Sequence, residues 1–114
     1  MSYTILESAW IEGVNYLQKQ IHEANVEKGF WGEPRTVAHC IALIHSELSE
    51  ALEADRKDLM DDHLPQYKGL IVELADAVIR ILDLAGHLNL PLGQAIIDKL
   101  AYNKSRPYKH GKVY

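Results

Sequence analysis

The sequence predicts an all-α fold in which antiparallel helices pack as a bundle. Four segments carry apolar residues at spacings of three and four, the period of a helix with one buried face. Clusters of glycine, proline and aspartate separate these segments, and none of the segments shows the strict alternation of a half-buried strand. With 114 residues, the chain has the length of one domain spanning 1–114.

The four predicted helices follow one another along the chain. They span about 4–27, 35–56, 65–88 and 92–105, and Pro34 takes the place of a first-turn proline at the start of the second. The connection between the second and third helices is short. These two helices are therefore expected to be antiparallel neighbours.

The composition bears on membrane insertion and on the cellular compartment of the protein. Apolar residues make up 47% of the chain, but no run of about 18 apolar residues exists, so we expect no membrane span. The N-terminus lacks the basic and apolar regions of a signal peptide. The single cysteine, Cys40, lies on an apolar stripe and cannot form an internal disulfide. These features predict a soluble, cytoplasmic protein in a reducing compartment.

Charge is unevenly distributed along the chain. The net charge is −4, but residues 99–114 hold five of the 12 basic residues and none of the 16 acidic ones. Residues 1–98 therefore carry seven basic and 16 acidic residues, a net charge of −9. So acidic a body argues against a duplex-DNA binder, and we predict no nucleic-acid partner. The pattern suits binding of a small polyanion, although a solvated basic tail, expected to be mobile over 107–114, has the same composition.

The second and third predicted helices each carry two carboxylates three residues apart. Glu47 and Glu50 lie in HSELSEAL, and Glu73 and Asp76 lie in VELADAVI. Residues i and i+3 share one helix face, and both pairs border the apolar stripe of their helix. Glu53 falls on the opposite side of its helix and is expected to be solvated.

Facing each other, the two helices would bring these four carboxylates together. Like charges at such range repel, so either some of the acids stay protonated or a cation binds among them. An all-oxygen set of ligands favours Mg²⁺ or Mn²⁺ over zinc. The alternative is a pair of solvated acidic stripes on two surface helices.

Two further groups of residues are candidates for substrate binding. Lys99, Asn103 and Arg106 are spaced i, i+4, i+7 on one helical face, where they could bind phosphate. The alternative is a basic helix end that is favoured by the helix dipole. Trp31 follows the first helix in a predicted loop, where it either stacks on a nucleobase or anchors the loop against the bundle. Arg80 lies one turn beyond Asp76, with Asp83 beyond it on the same face. This pair either orients Asp76 or takes part in an intersubunit ion pair.

Three segments carry a resemblance to a known family: ELSEALEADRKD, VELADAVIRILDLAG and KLAYNKSRPYKHGK. They resemble the MazG-like all-α nucleoside triphosphate pyrophosphohydrolases over about residues 30–112. The family signature is E-x-x-E, a spacer, and E-x-x-D, followed by a Lys/Asn/Arg face. Here the spacer between the two acidic motifs is 22 residues long, and the basic face is matched by Lys99, Asn103 and Arg106.

The resemblance implies an enzyme that cleaves (d)NTPs between the α and β phosphates, giving the monophosphate and diphosphate. It implies Mg²⁺, with Mn²⁺ as a possible substitute, held by Glu47, Glu50, Glu73 and Asp76. Glu47 or Glu50 would accept the proton of the attacking water, and the sequence does not choose between them. It also implies a four-helix core completed by a second subunit, in a homodimer or homotetramer that clears surplus or non-standard nucleotides.

Other functions remain open at this level. Within the same superfamily the chain could be a dUTP or dUDP hydrolase, or a phosphoribosyl-ATP pyrophosphohydrolase. From a different class, it could be a non-catalytic helical module that binds a metal or a partner helix.

Overall fold

A computed structural model describes residues 2–107 and confirms the all-α prediction. Its helices are α1 (Ile5–Glu27), α2 (Val37–Arg56), α3 (Gly69–His87) and α4 (Leu92–Lys104). Among the described residues, the one β-type pairing is an isolated bridge between the two sides of the α2–α3 connection. None of the helices in this part of the chain is long and apolar enough to cross a membrane. The tail predicted to be mobile lies outside the described residues from 108 onward.

Side-chain caps fix where the first two helices begin. Thr4 and Glu7 form a capping box at the start of α1, in which the Thr4 hydroxyl accepts from the Glu7 N–H at 3.0 Å. Thr36 caps α2 by accepting from the His39 N–H at 3.0 Å. The second helix therefore begins two residues later than predicted, and Pro34 lies in the preceding loop.

The third helix begins at Gly69 rather than near residue 65, because a local turn competes with it. The Asp61 carboxylate accepts from the backbone N–H groups of His63 and Leu64, at 2.9 and 2.7 Å. The Asp61 N–H in turn donates to the carbonyl oxygen of Tyr67 at 3.0 Å. Short side chains that bond nearby backbone offer the chain this alternative to a helix.

Helix α3 is the centre of the domain, with α2 on one side and α1 on the other. Helices α2 and α3 run antiparallel, since Ala54 lies beside Gly69 while Glu47 pairs with Arg80 farther along. At the far end of this interface, two α2 side chains form the core cluster with Leu84 of α3, namely Cys40 and Ile44. Cys40 is buried, as predicted.

Helix α1 packs antiparallel to two successive helices. Its C-terminal half lies against α3, where the His22 side chain bonds Asp83. Its N-terminal half lies against α4, where the Asn15 side chain accepts from the Gly93 N–H at 3.2 Å. The connection between α3 and α4 is short and contains Asn89, whose φ of 54° is in the left-handed region. The chain turns there, and both helices pack along α1.

Much of the apolar surface predicted to face a core is exposed in the single chain. On α1, Ile5 is 93% exposed and Leu6 is 58% exposed. The predicted stripes of α2 and α3 include further exposed side chains, at 36% to 54%: Ile41, Leu48, Leu52, Leu70, Ile71, Leu74, Val78 and Ile81. Contiguous apolar surface of this kind marks an interaction face.

Replacing Gly86 by alanine is expected to destabilise the fold. A Cβ at this position would lie 2.7 Å from the His22 Cβ, at the closest approach of α1 and α3. Overpacking of this kind costs about 1–3 kcal/mol. The matched control is Gly13→Ala, because a Cβ there meets nothing within 4 Å and alanine favours a helix interior by about 0.5–1 kcal/mol. In urea titrations, the free energy of unfolding should therefore fall for Gly86→Ala and rise for Gly13→Ala. A Gly86→Ala variant more stable than wild type would contradict the packing.

Candidate metal centre

Three of the four predicted ligands meet between α2 and α3. One carboxylate oxygen from each of Glu47, Glu73 and Asp76 lies within 4.8 Å of the other two. The i, i+3 spacing places Glu73 and Asp76 on one face of α3. The antiparallel packing then sets Glu47 of α2 opposite them.

Glu50, the fourth predicted ligand, lies at the margin of this cluster. Its side chain is exposed, whereas Glu47 is only 8% exposed. Glu50 and Glu73 border an open recess of about 180 Å³, together with Asp61 and Asp62 from the α2–α3 connection. Glu53 is exposed, as predicted, and pairs with Lys57 at 2.7 Å.

Burial and the crowding of the acids raise the pKa values of two of them, Glu73 and Asp76. Burial raises the pKa of Glu73 to about 8, with hydrogen bonding to Glu47 and Glu50 and their negative charges adding to the shift. Burial also raises the pKa of Asp76, helped by the charge of Glu47 and opposed by the nearby Arg80. Near neutral pH, Glu73 therefore carries a proton when no cation is present.

The cluster fits a hard divalent cation. The Glu73 Oε2 atom is buried and has no hydrogen-bond partner among residues 2–107. When Glu73 is protonated, the neighbouring acids share its proton. When Glu73 is ionised, this oxygen has no donor among the described residues, and a cation is the kind of ligand that would satisfy it. Carboxylate oxygens from three or four side chains are what Mg²⁺ and Mn²⁺ accept.

Arg80 supplies the positive charge nearest to the cluster. Its Nε donates to the Glu47 Oε1 at 2.9 Å, across the interface between α3 and α2. Of the two roles left open by the sequence, neither describes this contact, because the partner is Glu47 of the same chain. The i, i+4 spacing from Asp76 correctly indicated that Arg80 lies beside the acids.

A second buried carboxylate, Asp83, anchors the loop after α1. Asp83 is only 3% exposed. It accepts from Asn25 at 2.9 Å and from the Trp31 indole N–H at 3.0 Å, and it bonds the His22 Nδ1 at 2.8 Å. These contacts were not predicted from the sequence. The available signal was an acid between two leucines on the most apolar helix, since a buried charge needs several donors.

Trp31 is held on two sides by this arrangement. Its indole ring stacks on the His87 imidazole, with ring centres 3.7 Å apart and planes 6° from parallel. It also packs against the Cys40–Ile44–Leu84 cluster. Anchoring of the loop by Trp31 is therefore observed, and stacking of a nucleobase on its other face stays a prediction.

The predicted basic face lies on α4 and just beyond it. The Lys99 ammonium and the Arg106 guanidinium both lie over the Tyr102 ring, 4.7 and 5.0 Å from its centre. Lys99 and Asn103 border an open groove on α4. Helix α4 packs on α1, and within residues 2–107 no hydrogen bond or ion pair joins this face to the acidic cluster. One chain by itself does not bring the two predicted halves of the site together.

Comparisons with protein-family models, with curated proteins and with solved structures gave no match to this chain. Assignment to the MazG-like family therefore remains a prediction from the motif residues.

The stability of the metal-free protein is expected to fall as pH rises from about 4.5 to about 8. The unfolded chain releases the Glu73 proton near the ordinary pKa of 4.5, while the folded chain keeps it up to about 8. Over that window the unfolded state binds fewer protons, so rising pH favours unfolding. Urea titrations in EDTA across this range measure the effect.

The variant Glu73→Gln should weaken this pH dependence, because its amide does not titrate, while Asp76, whose pKa is also raised, keeps part of it. Glu53→Gln, at an exposed position, should retain it. A difference in unfolding free energy between wild type and Glu73→Gln that stays constant with pH would contradict the raised pKa.

Proposed function

We propose that the protein is a Mg²⁺-dependent nucleoside triphosphate pyrophosphohydrolase that converts a (d)NTP and water to the (d)NMP and diphosphate. The observation that carries the proposal is the convergence of Glu47, Glu73 and Asp76, whose carboxylate oxygens lie within 4.8 Å of one another between two helices. These residues occupy three of the four acidic positions of the signature that the sequence resembles.

The charge of the substrate explains why such a site needs a cation. A triphosphate carries about four negative charges, and ionised carboxylates repel it. A bound divalent cation would screen the phosphate charge and lower the pKa of a nearby water. Glu47, Glu73 and Asp76 would hold that cation, and Glu73 would lose its proton as the cation entered.

Glu50 is the better placed of the two candidate general bases. Glu47 is buried and would be one of the cation ligands. Glu50 is exposed at the margin of the cluster, beside Glu73 and the open recess. A carboxylate there can accept a proton from an attacking water and return it to solvent.

The remaining substrate contacts are proposed to come from the assembled protein. Lys99, Asn103 and Arg106 would bind phosphate or sugar oxygens, and Trp31 would stack on the base. The exposed apolar surface of α2 and α3 supports a homodimer or homotetramer, in which a second subunit completes the four-helix core. House-cleaning of the nucleotide pool is the role we propose for this activity.

Product analysis tests the reaction. With Mg²⁺, a panel of common and non-standard (d)NTPs should yield monophosphate and pyrophosphate, separated by ion-exchange chromatography. Orthophosphate as the product would contradict cleavage between the α and β phosphates. Activity confined to dUTP and dUDP, or to phosphoribosyl-ATP, would assign the chain to those narrower hydrolases. No turnover of any of these with Mg²⁺ or Mn²⁺ would leave a non-catalytic module.

Glu50→Gln should lower kcat by at least about 100-fold, the lower range for loss of a general base. Glu12→Gln is the control, since Glu12 is an exposed glutamate on α1, and it should retain full activity. Circular dichroism should show that both variants are folded. Retained hydrolysis in Glu50→Gln would remove Glu50 from the mechanism.

A charge on the exposed apolar face should dissociate the assembly. Leu74 and Val78 on α3 are 42% and 50% exposed in the single chain, so Leu74→Glu would place a charge at the proposed interface. Light scattering coupled to gel filtration should report a dimer or tetramer for wild type and a smaller species for the variant. Lys19→Glu, at an exposed polar position of α1, should keep the wild-type mass. A monomeric wild type would contradict the proposed assembly.

A further inference from the structure

We propose that Arg80 binds the phosphates of the substrate and pairs with Glu47 only while no cation occupies the site. This inference rests on the proposed function and adds a residue that the acidic signature and the basic α4 face do not contain. It begins from the contact between the Arg80 Nε and the Glu47 Oε1 at 2.9 Å.

Most of the hydrogen-bonding capacity of Arg80 is unused. A guanidinium group carries five N–H donors. Within residues 2–107, the Nε donor alone has a partner, and the two terminal nitrogens have none. The Arg80 side chain is 31% exposed, so a ligand can reach it. Unused donors in a fork match the oxygens of a phosphate group.

Among residues 2–107, no acceptor lies within hydrogen-bond distance of the two terminal nitrogens of Arg80. Arg80 lies one turn from Asp76 on α3 and borders a small recess with Phe30, Trp31 and Asp83. The Asp83 oxygens are already engaged by His22 and by donors of two other side chains. Arg80 therefore lies between the acidic cluster and the loop that carries Trp31. Phosphates held at the cluster would come within its reach.

Electrostatics predicts the direction in which cation affinity changes when the Arg80 charge is removed. A divalent cation and the guanidinium group both interact with the Glu47 carboxylate, and they repel each other. Removing the Arg80 charge should therefore tighten cation binding when no phosphate is present. The same change should weaken phosphate binding, because an anion is attracted by both positive charges.

A purely structural role for Arg80 predicts the opposite sign. If the guanidinium only holds Glu47 in place as a metal ligand, its loss frees that carboxylate to move. Removing such a supporting contact lowers metal affinity, commonly by about 10–100-fold. The direction of the change in cation affinity therefore separates the two roles.

The experiment compares Arg80→Met, Arg80→Lys and the control Arg56→Met, which removes an exposed arginine at the end of α2. Titration calorimetry first measures Mn²⁺ binding without nucleotide, and then pyrophosphate binding at saturating Mg²⁺. Arg80→Met should bind Mn²⁺ several-fold more tightly. It should bind pyrophosphate about 10–100-fold more weakly, the loss expected for charge-assisted hydrogen bonds. Arg56→Met should match wild type in both titrations.

Arg80→Lys keeps the charge and loses the fork, which provides a test even if Arg80→Met does not fold. It should bind Mn²⁺ like wild type and bind pyrophosphate more weakly. Weaker Mn²⁺ binding in Arg80→Met, or unchanged pyrophosphate binding in both variants, would overturn the inference. So would a loss of activity confined to one nucleobase, since that places Arg80 against the base.

Failure of the proposed function is distinguishable from failure of this inference. A wild type that binds Mn²⁺ and pyrophosphate but hydrolyses no nucleotide contradicts the hydrolase, while the Arg80 variants still decide the phosphate contact. A wild type that binds no Mn²⁺ overturns both.

Discussion

The constraint on which the site depends is the crowding of like charges between α2 and α3. Two ionised carboxylates 4.8 Å apart repel by about 3 kcal/mol at an effective dielectric constant near 20. Three such pairs approach the whole net stability of a small domain, about 5–15 kcal/mol. The metal-free chain relieves this strain in two ways, by protonating Glu73 and by pairing Glu47 with Arg80. A divalent cation would relieve it a third way, and would displace both.

One face of α3 connects this cluster to the rest of the domain. Glu73, Asp76, Arg80, Asp83 and His87 follow at spacings of three and four, and they therefore lie in one stripe along the helix. The N-terminal part of the stripe, with Glu73 and Asp76, packs against α2 and forms the acidic cluster with Glu47. The C-terminal part packs against α1 and the loop after it, where Asp83 and His87 contact Trp31. A shift of α3 would disturb both at once, so the loop and the acids are positioned by the same helix.

The apolar periodicity of the sequence predicted the features that depend only on residues close together in the chain. The four helices, the burial of Cys40 and the pairing of acids at i, i+3 all follow from one helix face at a time. The start of α3 was wrong, because the bonds of Asp61 to nearby backbone leave no apolar pattern. Contacts such as Arg80 with Glu47, and the donors around Asp83, depend on how two helices register. A sequence shows that a face is apolar, but it does not show what covers that face.

The single chain leaves apolar surface exposed and keeps its basic face apart from the acids, and a second copy would address both. The apolar faces of α2 and α3 are exposed, and water opposes that exposure by roughly 25 cal/mol for each Å². The basic face carrying Lys99 and Arg106 lies on α4 and just beyond it, over the Tyr102 ring, and within residues 2–107 no ion pair joins it to an acidic side chain. A second copy packed on α2 and α3 would cover the apolar surface and could present its own basic face to the acids. Since residues 1–98 carry −9 and residues 99–114 carry +5, the charges of two copies would favour that arrangement. Under the proposed function, the active site would then belong to the assembly, because residues 2–107 of one chain do not bring the acidic cluster and the basic face into contact.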